Sequence, residues 1–259
     1  MGRPSLQTWL VPGVVFILLA SLSGFVWQDQ VERNRSLLQG RTDDVCYQAS
    51  RRLQILVDSH LRIATIFARR WTEHHFGEFT EQRFRGFASV ILEQMRSFRA
   101  LGLLQESVGA VWSVPPTSRV ARIARSSDNR SLFEEARRTG EPVLSRPRQP
   151  GTKEAGLLAV IPLRSKGETI GYLVVDLGAE RLSEHAYHAR IRSEFSFHLE
   201  DRGESLYRHA LEPIGSVSSE HAIQASVSFA VQNRTWRLTM VPTTAAIDLV
   251  GWVGSASVG

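Results

Sequence analysis

The hydrophobic positions of this chain follow distinct patterns along its length, and the first is an uncharged run at residues 10–27, "LVPGVVFILLASLSGFVW". At a rise of 1.5 Å per residue, about 18 residues just cover a hydrocarbon core of about 30 Å. Trp9 precedes the run and Trp27 ends it, at the positions where interfacial aromatic residues are favoured. The pattern predicts a transmembrane helix. A cleaved signal peptide is the alternative, because "ASLSG" is similar to a small-x-small cleavage site.

The second pattern is a stripe of apolar positions spaced by three, four or seven residues, which predicts one face of a long helix over residues 28–75. The stripe consists of Leu38, Val45, Ala49, Leu53, Leu56, His60, Ala64, Phe67 and Trp71. It follows the uncharged run without a helix-breaking residue. Near the membrane, Val31, Leu38 and Val45 are seven residues apart and have no predicted sheet beside them, so we expect a homodimer formed by this helix. The alternative is a helix buried within its own monomer.

Two further helices have local signals. Phe84, Phe87, Ala88, Ile91, Met95 and Phe98 form an amphipathic stripe after Thr80, which predicts a second helix capped by Thr80. Ser131 and Glu134 have the spacing of a capping box, and Gly140 follows at helical distance, so a short helix is predicted between them.

The third pattern is a set of β-rich runs separated by turn residues. The runs are "VGAVWSV", "GLLAVIPLR", "TIGYLVVDL", "EFSFHLED" and "SLYRH". Ile223, Ala225, Val227, Phe229 and Val231 then alternate with polar residues, "QNR" makes a turn, and the alternation returns through Trp236 and Met240. Helices followed by antiparallel strands predict an α+β fold, in which a transmembrane helix continues into a long helix packed on one or two PAS-like antiparallel sheets.

Composition narrows the function. The net charge is +5, but the basic residues are scattered among Asp and Glu, which argues against nucleic-acid binding. Cys46 is the only cysteine, so an internal disulfide or a cysteine-based metal cluster is excluded. The sequence has no glycine-rich phosphate loop and no G-x-S-x-G motif, and we predict no cofactor, no metal and no catalytic residue. The alternative function is a membrane-anchored periplasmic hydrolase that uses some Asp, Glu or His as a base. Asp176, Glu180 and His185 lie near one another in sequence, but Glu180 and His185 are five residues apart on a predicted helix and point to different faces.

The order of features from Phe84 to Pro242 resembles the CHASE family, which comprises extracytoplasmic sensor domains of bacterial transmembrane receptors and plant cytokinin receptors. The stretches that carry the resemblance are "FASVILEQMRSFRALGLLQESVGAVWSV", "LFEEARRTGEPVLSRP", "LLAVIPLRSKGETIGYLVVDL", "FHLEDRGESLYRH" and "RTWRLTMVP". Cache-type sensors have similar architectures. The resemblance implies a ligand-sensing domain without chemistry of its own, with a histidine kinase or cyclase output beyond a second membrane span.

The resemblance also suggests a domain organisation. Residues 1–9 would be cytoplasmic, residues 10–27 would span the membrane, residues 28–75 would form the signalling helix, and residues 76–242 would form the sensor. The last segment, 243–259, contains "AAIDLVGWVGSASVG" and is expected to begin a second span. We expect the protein in a bacterial inner membrane with its sensor in the periplasm or outside the cell. The charges flanking the first span do not favour this orientation, but long domains translocate largely regardless of them.

The resemblance to PAS-like sensors also suggests a ligand site on the sheet face beneath the short helix. Trp112, Arg119, Arg122, Tyr172 and Asp176 lie on or near the strands that border it. The arginines favour a small anionic or carboxylate ligand, because a guanidinium offers a bidentate fork to such groups. In the alternative interpretation, Trp112 and Tyr172 are core residues and Arg119 pairs with a surface carboxylate.

Overall fold

The first helix, α1, runs without interruption over Gln7–Thr72 in a computed structural model of the chain. The structure describes residues 7–73, 80–105, 110–116, 120, 126, 129–149, 155–209, 223–244 and 246. Within α1, Val14–Thr72 is long and apolar enough to cross a membrane by length and composition, and none of its most apolar window is buried. The predicted continuity between the uncharged run and the long helix is therefore confirmed.

The other elements are shorter and follow α1 in a helix-then-strand order. In chain order they are α2 Glu81–Gln94, β1 Phe98–Gln105, β2 Ala110–Val114, α3 Arg130–Thr139, β3 Val143–Leu144, β4 Gly156–Ser165, β5 Glu168–Gly178, α4 Ala179–Ala186, α5 Ala189–Glu194, β6 Phe195–Asp201, β7 Glu204–His209, β8 Ala225–Val231 and β9 Arg234–Pro242.

The strands form two antiparallel sheets. The first sheet has the order β2-β1-β5-β4-β3, and the second has the order β7-β6-β9-β8. The predicted hairpins are present: β4 pairs with β5, and β8 pairs with β9 with Phe229 opposite Trp236. Gly167, with φ of 90°, occupies the left-handed region in the β4–β5 turn. The predicted α+β class, with a long helix packed on antiparallel sheets, is confirmed.

One face of each sheet packs against α1, and together they form one continuous core. Leu53 and Leu61 of α1 share this core with Leu173 of the first sheet and with Trp236 and Leu238 of the second. Burying each such side chain contributes about 1.5–3 kcal/mol. The second sheet contacts the part of α1 nearer the apolar segment, where the Cys46 thiol donates to the Leu238 carbonyl at 3.5 Å. The first sheet lies beside the last turns of α1.

The expectation that α1 lacks a neighbouring sheet near the membrane is wrong. Leu38 is only 3% exposed, and Val45 packs against the main core. Strand β8 lies along this part of the helix, and the Gln39 side chain donates to the Gln224 carbonyl at 3.0 Å. The sequence stripe that suggested a dimer contact is thus largely covered within the monomer.

The helix ends agree with the sequence in part. Thr80 caps α2, and Gly140 ends α3 in the left-handed region, as predicted. The capping box is wrong, because Asn129 precedes α3 and Ser131 is already its second residue. Phe98 is also not helical: α2 ends before Met95, and Phe98 begins β1, where it pairs with Leu177.

Candidate functional site

Tyr172 and Asp176 project from one face of β5, which we call the outer face of the first sheet. Side chains alternate across a strand, so residues four apart share a face and are separated by about 13 Å. α3 covers this face, and a second hydrophobic cluster fills the space between them. Its buried members are Ala100, Val120, Leu132, Ala136, Val143, Leu158, Val160, Tyr172 and Val174.

Tyr172 lies beneath α3 and is 2% exposed. Its ring meets that of Phe133 edge to face, with centroids 4.9 Å apart. Its hydroxyl accepts a hydrogen bond of 3.1 Å from Nε of Arg137. Tyr172 therefore packs as a core residue through its ring, while its hydroxyl belongs to a polar contact with α3.

Asp176 lies at the other end of the outer face and pairs with Arg99. Nη2 of Arg99 donates to the Asp176 carboxylate at 2.8 Å, and both side chains are largely buried. Arg99 occupies a register shift in β1, and its side chain passes over Gly156 and Gly178. A Cβ at either glycine would meet the Arg99 side chain. Arg99 was not predicted from the sequence, although a lone arginine within an apolar strand signals a paired or functional charge.

The structure does not bring Trp112 together with Tyr172 and Asp176. Trp112 pairs with Leu103, whose side chain belongs to the core on the α1 side of the sheet. Its ring accordingly packs near Phe84 of α2, with centroids 6.3 Å apart. Arg119 and Arg122 lie outside the described residues. Of the predicted site, the outer face thus holds Tyr172 and Asp176.

A cavity of about 700 Å³ opens beside α3, between the two sheets; we call it the crevice. The first turns of α3, the chain after β3 and the two hairpin turns of the second sheet line it. The lining residues are Ser126, Asn129, Ser131, Leu132, Glu135, Leu144, Ser145, Arg146, Pro147, Arg148, Arg202, Asn233 and Arg234. The crevice was not predicted from the sequence, because it forms where segments distant in sequence meet.

Hydrogen bonds hold the crevice walls together. Asn233, in the β8–β9 turn, accepts from the Leu144 amide at 2.9 Å and donates to the Leu144 carbonyl at 3.3 Å. The Asn233 side-chain amide thus makes the pair of backbone hydrogen bonds that a neighbouring strand would make. It joins the second sheet to β3, the edge strand of the first sheet. Beside it, Nε and Nη2 of Arg234 bond to one oxygen of Asp201, at 2.8 and 2.6 Å. The two sheets therefore meet in a fixed geometry at this point.

Other buried titratable groups are structural in character. Burial raises the pKa of the Cys46 thiol to about 11, helped by the nearby Asp43 carboxylate, so the thiol is a poor nucleophile at neutral pH. Burial lowers the pKa of His60, whose Nε2 lies 3.1 Å from the Ser97 hydroxyl. Among the described residues, no group of three or more His, Cys, Asp or Glu side chains could hold a metal ion.

Known structures resemble this fold at low sequence identity. The ligand-binding domain of the Pseudomonas fluorescens chemoreceptor CtaA in complex with L-leucine is 14% identical, with a TM-score of 0.53, and the match covers 83% of this chain and 99% of that one. The extracellular domain of soHK1S-Z6, described as a histidine kinase, is 12% identical, with a TM-score of 0.53 over 85% and 99%.

The ligand-binding domain of the amino-acid chemoreceptor PctC of Pseudomonas aeruginosa PAO1 in complex with GABA is 14% identical, with a TM-score of 0.50 over 73% and 93%. The chain matches no protein-family model and no curated protein. At these identities the likeness concerns the fold, which this chain shares with ligand-binding domains of chemoreceptors and with the extracellular domain of soHK1S-Z6.

Proposed function

We propose that this chain is the ligand-sensing portion of a membrane-anchored signalling receptor. The observation that carries the proposal is α1, a single helix whose exposed apolar segment continues into the core of a two-sheet domain. A rigid helix shared by membrane and sensor can transmit a small shift of the sheets directly to the membrane. The solved structures of similar fold include ligand-binding domains of chemoreceptors and the extracellular domain of a protein described as a histidine kinase.

The proposal includes the domain limits expected from the sequence. Residues 10–27 would remain as the anchor, with the sensor outside a bacterial inner membrane and a histidine kinase or cyclase as the output. The expected second span, 243–259, lies almost entirely outside the described residues. Mass spectrometry of the membrane fraction tests the anchor: we expect the mature chain to retain residues 10–27, and a mature N-terminus near Phe25 would contradict it. Membership of the CHASE family remains part of the proposal.

The proposed ligand is a small molecule with a carboxylate. The solved relatives in fold bind L-leucine and GABA, which both carry that group. The outer face of the first sheet, with Tyr172 and Asp176, would provide its floor, and Arg119 and Arg122 would bind the carboxylate. In the ion pair between Asp176 and Arg99, the carboxylate would attract an amine and the guanidinium would attract a carboxylate, which suits a ligand that carries both groups.

A thermal-shift screen of the detergent-solubilised chain against small carboxylic acids and amino acids tests this site. We expect at least one acid to raise the unfolding midpoint, and Arg119→Ala or Arg122→Ala to reduce that shift. Arg83→Ala, on exposed α2, is the matched control because it removes one guanidinium elsewhere. Stabilisation by neutral compounds alone, or by acids regardless of both substitutions, would contradict the arginine-lined site.

We also propose that the receptor is a homodimer, formed by a face of α1 other than the predicted one. Leu37, Ile55 and Ile66 are exposed, and they lie about five and about three helical turns apart, on one side of α1. An apolar row of this kind on a long helix favours pairing with a second copy.

Cysteine cross-linking in membranes tests the homodimer and its face. Leu37→Cys should form a disulfide between chains, whereas Leu38→Cys, one residue away but buried, should not. The native Cys46 is buried, so it provides little background. Equal cross-linking at both positions, or at neither, would contradict this arrangement.

A further inference from the structure

The described lining of the crevice has a positive bias. Among the described lining residues, Arg146, Arg148, Arg202 and Arg234 are positive and Glu135 is negative, and the charge of Arg234 is offset by Asp201. These arginines come from both sheets: Arg146 and Arg148 follow β3, Arg202 lies in the β6–β7 turn, and Arg234 begins β9. Guanidinium groups that converge from separate elements create a positive potential inside a concave surface, where field lines are focused.

Two of these arginines are available to a ligand. Within the part of the chain that the structure describes, Arg146 and Arg202 make no ion pair. Nη2 of Arg202 makes one long hydrogen bond, 3.4 Å, to the Asn233 carbonyl. Arg146 follows Ser145, whose hydroxyl donates to the Arg146 carbonyl at 2.8 Å and accepts from the Leu158 amide at 2.9 Å. The backbone that presents Arg146 is thereby fixed, while its guanidinium is uncommitted.

Hydrogen bonds within the protein already hold some polar side chains of the crevice in place. Arg234 uses Nε and Nη2 on Asp201, so its Nη1 makes no hydrogen bond to any described residue. Because the ion pair already holds Arg234 in place, a ligand that binds this side chain pays little entropy to order it. The clamp between Asn233 and Leu144 fixes the distance between the walls. A ligand therefore meets donors that are largely preorganised.

The start of α3 adds to the same bias. Ser131, at the second helical position, lines the crevice. The first amides of a helix carry a partial positive charge and favour an anion nearby. Helix and arginines therefore prefer the same sign of ligand charge.

We propose that the crevice binds a small molecule bearing two or more oxyanion groups, carboxylate or phosphate, and that this ligand bridges the two sheets. Arg146 contributes from the first sheet and Arg202 from the second, so one anionic group bound by each would join them. Two or more oxyanions suit the site because the donors belong to different sheets. The site is separate from the outer face beneath α3 and does not depend on the ligand proposed there.

Binding of citrate and of pyrophosphate to the detergent-solubilised full chain tests the proposal, with sodium chloride at matched ionic strength as the reference. We expect at least one probe to raise the unfolding midpoint in a saturable way, and a response to only one would identify the oxyanion chemistry. Arg146→Gln and Arg202→Gln should each weaken the apparent affinity by about tenfold, the effect of losing one charged hydrogen bond. Glu135→Gln should strengthen it, because it removes the acid from the lining.

Arg83→Gln is the matched control, since it removes one exposed positive charge on α2, away from the crevice. Hydrogen exchange gives a second measure: the Leu144 amide, bonded to Asn233, should exchange more slowly when the probe is bound. The proposal is overturned if neither probe stabilises beyond chloride, if Arg83→Gln weakens binding as much as the crevice variants do, or if binding is lost only in Arg119→Ala or Arg122→Ala. An equal effect of Arg83→Gln would mean that the anion responds to overall charge. Loss of binding only in Arg119→Ala or Arg122→Ala would mean that the anion binds at the outer face.

Discussion

The two sheets of this molecule are built alike but covered differently. In the first sheet, α1 covers one face and α3 the other, and eight consecutive residues of β4, Gly156 to Leu163, are buried. In the second sheet, α1 covers one face, and β9 alternates between buried and more exposed positions. A strand buried on both faces has a continuous apolar run, whereas a half-covered strand alternates.

The difference extends to the charged groups. In the second sheet the pair of Asp201 and Arg234 is almost fully buried, at the end of strands that meet the first sheet. In the first sheet the pair of Arg99 and Asp176 retains some solvent contact. The first sheet therefore has a partly accessible charge pair on the face that α3 covers, while the second sheet holds its pair at the junction with the first.

The largest expected difference in stability comes from placing a charge on the face of each sheet that α1 does not cover. Val174→Asp puts a carboxylate beneath α3, where residue 174 is fully buried, and should cost about 4 kcal/mol of stability or more. Thr235→Asp, on the exposed face of β9, should change stability by no more than about 0.5 kcal/mol. Chemical denaturation of both variants measures the difference. Tolerance of Val174→Asp would mean that α3 does not cover the first sheet in solution.

The next largest difference in stability is expected between variants of the two ion pairs. Asp201→Ala leaves a buried guanidinium without its partner and should cost about 3–5 kcal/mol. Asp176→Ala leaves Arg99 closer to solvent and should cost about 1–3 kcal/mol. Unfolding midpoints and m-values measure both. The double variant Asp201→Ala/Arg234→Met should recover much of the loss, and no recovery would argue against an unpaired charge as the cause.

A third prediction concerns how the second sheet is attached to α1. The Glu194 carboxylate bonds to Arg41 of α1 at 2.7 Å, and the Glu194 carbonyl accepts from both the amide and the hydroxyl of Thr243, at 2.8 Å each. Glu194→Gln should cost about 1–3 kcal/mol. The exposed pair of Glu81 and Arg85 on α2 is the control, and Glu81→Gln should cost less than about 0.5 kcal/mol. Equal costs in denaturation would contradict a structural role for Glu194.

The smallest expected effect is on pH dependence. Burial, together with the nearby His185, lowers the pKa of His60 beside the first sheet; burial also lowers that of His198 in the second, where the Glu200 carboxylate opposes the shift. A depressed histidine pKa means that the unfolded state binds the proton more tightly, so stability falls as the pH drops below about 6.5. His60→Gln should flatten the stability profile between pH 7 and pH 5 more than His198→Gln does. The opposite order in denaturation at several pH values would contradict the burial argument.

Local sequence patterns predicted much of this fold. The uncharged run, the stripe on α1, and the alternation in β8 and β9 each record a periodic environment, and periodicity is visible without knowing the partner. Thr80 and Gly140 were predicted correctly because a helix end needs a cap or a left-handed residue regardless of what surrounds it. The start of β1 at Phe98 was missed, because one aromatic residue fits a helix stripe and a strand equally well until β5 pairs with it.

The candidate sites depended on contacts that no local pattern contains. The sequence by itself determined the apolar segment, the long helix, the antiparallel pairs and the position of Tyr172 and Asp176 on one face of one strand. Only the tertiary structure decided that Trp112 faces the other way, that Leu38 is covered by β8, that Arg99 crosses to Asp176, and that the arginines after β3 meet the turns of the second sheet. The physical reason is that alternation and helical period act over a few residues, whereas pairing between strands and the closure of a cavity depend on residues far apart along the chain.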